Sequence, residues 1–432
     1  MGVRIKCPGH KPWEAETGDS KYYSGNANAR FQNPPIETCS CTEKTKGQTK
    51  SKPMKVALTT GNNIYYSRGI SSIYLHSELF ESDIALEIMR LEEEKRKALK
   101  VDNLELAVEL KKEIEEIKSN KAESDNVDIL DSEKEMVFRF NEFQAFHKDE
   151  GLLNKDKKHL KVRQVTDNLD ENIELGIDGD LKKYFNRILR IDNMKITSAQ
   201  LDFSRVVPID ADVEYAHPKN IFRSRNEQVE VYPVVENFGE GIFFSFNEEL
   251  INELNQNNCL IEGIQKQLSK LKESSNMFNK GAVDFANLMN WQMYLVHTFS
   301  HLIMRELEFR CGYPTASLNE RIYVSNDDKY KMYGCLIYTA EGAEGSMGGL
   351  IAQTRPNNLN NLIKSAVKRA TICNSDPLCW KSEGQGLFDL NFSSCFSCSL
   401  VSETSCEHRN LYLDRKILVD EINGFFKDII SN

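Results

Sequence analysis

Long hydrophobic runs are missing from this 432-residue chain. No segment approaches the ~20 apolar residues that a bilayer-spanning helix needs, and mean hydropathy is -0.50. The opening residues, MGVRIKCPGHKPWE, lack the apolar core of a signal peptide. A cytoplasmic protein without a membrane partner is the expectation. Basic charge is short too. Against 65 Asp and Glu stand 55 Lys and Arg, giving a net charge of -10. That excludes a protein that coats nucleic acid through bulk charge, though it leaves room for a local basic track. No nucleotide-hydrolysis motif occurs, so any ATP-driven motor must be another chain. No internal repeat is apparent. The composition is otherwise that of an ordinary globular protein, with 40% hydrophobic and 28% charged residues, and the length allows two or three domains.

Cysteine is the residue that stands out. There are eleven, an odd number that argues against a fully paired extracellular framework. In a reducing compartment, clustered cysteines are better read as metal ligands or reactive thiols than as disulfides. Five of them, Cys373, Cys379, Cys395, Cys398 and Cys406, crowd together near the end of the chain.

The order of elements predicts an α+β fold of mixed helices and short sheets. Residues 1–80 read as an irregular and β-rich segment, in which TEKTKGQTKSKP (42–53) is expected to be an exposed loop. MKVALTT and SSIYL are expected strands, with a turn at GNNIYYSRG between them. Within 81–165, apolar residues at Ile84, Ile88, Leu91 and Ala98 and then at Leu104, Ala107, Leu110, Ile114 and Ile117 have helical spacing, so a helical hairpin is expected. Residues 166–250 mix strands and turns, EVYPVVENFGEGIFFSF reading as strand, glycine turn, strand. From 251 to 432 the pattern gives buried helices around NWQMYLVHTFSHLIMREL, a buried strand at GCLIYTA, and a helix opened by Pro356. A cysteine-rich module closes the chain.

Zinc takes four tetrahedral ligands and accepts thiolates readily. Cys395-Phe-Ser-Cys398 offers two sulfurs from one turn. Cys406 lies eight residues on and Cys379 sixteen before, with turn-forming Gly384, Gly386, Ser393 and Ser394 between them. The expected ligand set is therefore Cys379, Cys395, Cys398 and Cys406 around one structural zinc. Cys373 is held in reserve as a buried thiol that could replace one of them. No open-site pattern accompanies the sulfurs, so no catalytic residue is expected.

The stretches HTFSHLIMRELEFRCGYPTASLNERIY, GCLIYTAEGAEGSMGGL and CNSDPLCWKSEGQGLFDLNFSSCFSCSLVSETSCEHRN together resemble the MrfA-like zinc-binding domain, a module at the C-terminus of certain bacterial helicases and their partner proteins. Upstream, GNNIYYSRGISSIYL, DFSRV and VENFGEGIFFSFNEE look like DrmB, the partner-protein branch found in the DISARM anti-phage system. The resemblance implies a non-enzymatic chain that works beside a DrmA-like helicase subunit and DNA, with no small-molecule substrate. It carries the family's cysteines onto Cys379, Cys395, Cys398 and Cys406, and Cys373 also matches a recurrent position.

Other patterns compete. His297 and His301 stand i, i+4 on a predicted helix, which puts both rings on one side. Thr298 occupies the position where an HExxH motif needs its glutamate, so internally bonded, buried histidines are the first expectation. A metal-dependent hydrolase using His297, His301 and Glu341 is the alternative, and an accessory factor of a DNA-repair helicase a further one. YTAEGAEGSMGGL lacks the lysine of a phosphate loop, and its glycines are expected to pack against the zinc module. Cys7, His10, Cys39 and Cys41 could hold a second zinc. Arg355, Lys364, Lys368 and Arg369, and the lysines from Lys44 to Lys55, could meet phosphates but also fit solvated surfaces.

Overall fold

The computed structural model describes residues 38–45, 48–53, 65–76, 79, 131–167, 176–205, 219–220, 232–256, 258–274, 290–313, 315–339, 348–386 and 389–430, with isolated positions between 91 and 114. The chain forms two units, 1–64 and 65–432.

In the first unit Thr38–Thr45 (β1) and Gln48–Pro53 (β2) pair antiparallel, Thr45 opposite Gln48. The segment expected as a loop is thus a hairpin. Its threonines at 42, 45 and 49 suit a pleated strand, and two residues between paired ends is the commonest hairpin spacing. Cys39 and Cys41 lie on β1, while Cys7 and His10 lie outside the described residues.

The second unit is built on one antiparallel sheet. Its strands are Tyr65–Ile73 (β3), Leu160–Gln164 (β4), Phe185–Arg205 (β7), Lys219–Asn220 (β8), Val234–Phe246 (β9), Leu318–Ser325 (β10) and Met332–Thr339 (β11). The order is β10-β11-β9-β7-β3, with β4 and β8 also on β7, and a separate two-residue pair joins Thr166–Asp167 (β5) to Gly176–Ile177 (β6). Every segment expected from the sequence, 1–80, 81–165, 166–250 and 251–432, contributes a strand to this one sheet.

Both faces are covered, and strand alternation sorts the side chains between them. Ile188, Ile242, Phe244, Ile322, Val324, Cys335 and Ile337 enter one core. Their neighbours Leu189, Phe243, Tyr323 and Leu336 enter the other. The first core is filled by helix α3 (Trp291–Cys311) and by α5 (Pro356–Ala370); the second is covered by α1 (Asp131–Ala145). Between α1 and α3 runs α2 (Cys259–Ser274), and α4 (Gly349–Gln353) leads into α5.

On the α1 face Arg321 is buried and clasps Glu142 through two bonds of 2.6 and 2.9 Å, with the Tyr323 hydroxyl donating to the same carboxylate at 3.2 Å. A forked guanidinium-carboxylate pair leaves neither charge bare in the interior.

Two stretches read as turns are continuous strand. β3 runs through YYSRGISSI with a register shift at Arg68/Gly69, where a Cβ on Gly69 would stand 3.1 Å from the Ala199 carbonyl oxygen. β9 runs through VENFGEGIFF, and a Cβ on Gly241 would meet the Ile337 carbonyl oxygen at 2.8 Å. These glycines serve close backbone approach rather than reversal. MKVALTT lies outside the described residues, as does most of the expected helical hairpin. Its described positions Leu91, Lys95, Leu110, Lys111, Lys112 and Ile114 are helical, and Leu91, Leu110 and Ile114 form a small cluster of their own.

Candidate metal centres

Helix α3 carries His297 and His301 and anchors the cysteine-bearing loops packed beside it. Asn290 caps its first turn by accepting from the Met293 amide at 2.8 Å, and Gly312, at φ 69, ends it. Between these ends the residues from Trp291 to Met304 are all buried. A helix apolar nearly all round belongs in a core, and here it lies between the sheet and α5.

The last turn of α5 delivers Cys373. Asp376 then closes a tight loop, its carboxylate accepting from the amides of Cys373 (2.9 Å) and Trp380 (3.1 Å). That loop carries Cys379 back over Cys373. The turn at 395–398 approaches from the other side, held to α3 by Arg305, which donates to the carbonyls of Phe396, Ser397 and Leu400. The sulfurs of Cys373, Cys379, Cys395 and Cys398 all lie within 4.8 Å of one another.

These sulfurs fit a zinc ion. Cys373 and Cys395 are 3.4 Å apart, and Cys379–Cys398 and Cys395–Cys398 are each 3.8 Å. A disulfide needs about 2.05 Å, whereas four thiolates at ~2.3 Å from a zinc stand about 3.8 Å apart. The electrostatics agree. Burial pushes the Cys398 thiol up to about 11 and Cys379 higher still, the neighbouring sulfurs adding to both shifts. Cys395 moves down to about 7: burial opposes its ionisation, but hydrogen bonds from the Cys373 thiol and the Ser397 amide outweigh it. Four thiols this close cannot all ionise without a cation to share.

Four thiolates around a divalent ion still leave two negative charges. Arg415 offsets part of that. It is fully buried, lies over the Trp380 ring at 4.7 Å, donates to the Ala370 carbonyl at 2.9 Å and pairs with Asp376. Burial works against its charge, yet Asp376 and the sulfurs of Cys398 and Cys379 raise its pKa.

Of the four ligands expected from the sequence, Cys379, Cys395 and Cys398 come together, and Cys373 completes the set. Cys406 does not join them. The chain turns at 402–405 and lays Ser405 along the edge of β10, its carbonyl accepting from the Glu320 amide at 3.1 Å. Cys406 is thereby aimed into the core, 3.1 Å from His297 Nε2 and 3.3 Å from His301 Nε2. Spacing along the chain could not reveal this, because Cys406 is drawn away by a backbone hydrogen bond between its neighbour Ser405 and Glu320 on β10.

Lys364, Arg369 and the glycine-rich loop find ordinary partners. Glu240, fully buried on β9, accepts from the amides of Gly348 (2.6 Å) and Leu350 (2.9 Å) and from the Tyr313 hydroxyl (3.2 Å). The N-terminus of α4, where a phosphate could have docked, is filled by the protein's own carboxylate. A Cβ on Gly349 would strike Tyr313 at 2.4 Å, so this glycine packs on Tyr313 and not on the cysteine module, while a Cβ on Gly348 would meet nothing within 4 Å. Glu341 lies outside the described residues. Lys364 pairs with Asp178 at 3.6 Å, and Arg369 pairs with Glu306 at 2.9 Å and stacks on Phe309.

Among the described residues no helix is long and apolar enough to cross a membrane. Residues 299–399 match the model of the MrfA Zn-binding domain, and all four clustered cysteines fall inside that span. The chain is also 32% identical over 268 residues to the DISARM protein DrmB of Bacillus paralicheniformis. That alignment takes in 59% of this chain and 45% of the relative, so the chain matches somewhat under half of that protein's length. Both resemblances read from the sequence are met by these comparisons: a zinc-binding domain of the MrfA type, in a chain similar to DrmB.

Proposed function

We propose that this chain is a non-catalytic, zinc-stabilised partner of a helicase subunit in DISARM-type anti-phage defence, and that it extends the DNA-binding surface of the pair. The observation that carries the reading is the similarity to the DISARM protein DrmB, joined to a zinc-binding domain. The zinc's part is structural. It ties two loops into a rigid platform and needs no open coordination position.

The surface of that platform suits docking. Ile372, Leu378 and Phe396 are 76, 83 and 77% exposed, and each adjoins a cysteine of the cluster. The sulfurs thus hold three large, exposed apolar side chains on one small module, and we read them as anchors for a partner. A metal-dependent hydrolase, by contrast, would need solvent at the His297 and His301 rings, and both are fully buried.

The test is copurification with a DrmA-like helicase subunit. The double variant Leu378→Ser, Phe396→Ser should weaken the pair at least tenfold, about 1.4 kcal/mol. Its melting temperature should hardly move, since both side chains are exposed. The pair should bind DNA more tightly than either chain alone, with a steep salt dependence. ATP turnover or DNA cleavage by the purified chain alone would overturn the proposal, as would a pair indifferent to the double substitution.

A further inference from the structure

We propose that His297, His301, Glu320 and Cys406 form a second metal site, a closed four-ligand centre for zinc set inside the core and separate from the four-cysteine centre. Their four donor atoms lie within 4.8 Å of one another, and all four residues are buried. His297 Nε2 stands 2.9 Å from Glu320 Oε1, and His301 Nε2 3.4 Å from the same oxygen. With the two sulfur distances, the spread is 2.9 to 3.4 Å. Ligands at ~2.0–2.3 Å from one tetrahedral zinc would be separated by slightly more, so a small outward adjustment seats the ion.

The hydrogen bonding around His301 points the same way. Its Nδ1 lies 2.9 Å from the Ser399 carbonyl oxygen, which can only accept. In the neutral ring the proton is therefore on Nδ1, and Nε2 turns a lone pair toward Cys406 and Glu320. A backbone carbonyl holding the far nitrogen is how metal-bound histidines are usually oriented. Lone pair and carboxylate oxygen, both acceptors, then lie 3.4 Å apart, and only the Cys406 thiol could offer that lone pair a proton. Glu320 Oε2 is also buried, with no hydrogen-bond partner among the described residues. A cation between the four donors answers both problems. On the sulfur side, the Asn410 amide donates to Cys406 Sγ at 3.1 Å, as to a thiolate.

Charge decides which chemistry fits. Two neutral imidazoles, one carboxylate and one thiolate cancel a divalent ion completely, so the loaded site is neutral and can sit in the interior. All four positions are taken by protein, which makes the site structural. The domain match at 299–399 takes in His301 and Glu320 but stops short of His297 and Cys406. The loop from Cys395 to Cys406 thus begins at one metal centre and ends at the other.

Metal analysis of the full chain tests this. Wild-type protein should hold about two zinc ions, and Cys406→Ser or His297→Ala about one, with the ion kept by Cys406→Ser then lost on adding Cys398→Ser. One ion in wild type that survives Cys406→Ser would overturn the proposal. Where the variants fail to fold, X-ray absorption at the zinc edge of the wild-type protein gives a second readout. Five sulfurs shared between two ions, four on one and one on the other with two nitrogens and an oxygen completing that second shell, is the expected result. A pure four-sulfur shell would overturn it.

Discussion

The two centres are built from the same stretch of chain but on opposite terms. At the four-cysteine centre all donors are sulfur, the supporting elements are loops, and the excess negative charge leans on one buried arginine, Arg415. At the inner centre the donors are mixed and their charges balance an ion by themselves. Its supports are a buried helix, α3, and a strand of the main sheet, β10. A loop module has little apolar surface of its own, so metal binding there is folding energy for the module alone. A ligand set lodged between helix and sheet is part of the core, so losing one member is felt throughout. Position in the fold, more than the choice of metal, decides how far the damage spreads.

The largest expected effect is at Glu320. Glu320→Ala removes the only carboxylate among the inner donors and leaves imidazoles and thiol facing a gap. A loss of about 3–5 kcal/mol in global stability is expected, the usual cost of breaking a buried charged cluster. Denaturant melts of the whole chain would register it. A variant as stable as wild type would mean that the inner group is neither a metal site nor a structural network. Cys398→Ser, by contrast, should release one zinc and open residues 371–400 to hydrogen exchange while β7, β9 and α3 stay protected. Uniform loss of protection across the sheet would erase the distinction between the centres.

Much of this was legible in the chain. The i, i+4 placement of His297 and His301, the thiol pair at Cys395 and Cys398, and the helix opened by Pro356 are local patterns, and the structure keeps them. What the sequence concealed is long-range. Nothing near Cys406 announces that its neighbour Ser405 accepts a hydrogen bond from the Glu320 amide on β10, and nothing near Glu320 marks it as inward-facing. Alternation gives the explanation afterwards: Glu320, Ile322 and Val324 share the α3 face, while Arg321 and Tyr323 turn toward Glu142 on α1. Glycine misled for a related reason. At Gly69 and Gly241 the missing side chain admits a neighbouring strand, and a single sequence cannot tell that from a turn.

Asp414 supplies a smaller and sharper contrast with Glu320, since it is a buried carboxylate with no metal-ligand companions. Burial raises its pKa to about 6, against the amides of Lys416 and Ser393 and the charges of Lys416 and Arg415, which all favour the ionised form. A folded pKa above the unfolded value near 3.9 means that its contribution is fully present at low pH and is lost as pH rises through about 6. Asp414→Asn removes that penalty. Its side-chain oxygen can still accept from Lys416 N, now at 3.0 Å, and from Ser393 N, at 3.3 Å. The variant should therefore be more stable than wild type by on the order of 1–3 kcal/mol at pH 7.5, with the difference shrinking toward pH 4.5. Urea melts of both proteins at matched pH with zinc in excess measure that difference directly. If Asp414→Asn instead destabilises the chain at pH 7.5, then a cation must face Asp414 as well, and the inner centre is not alone in holding a charged carboxylate inside the core.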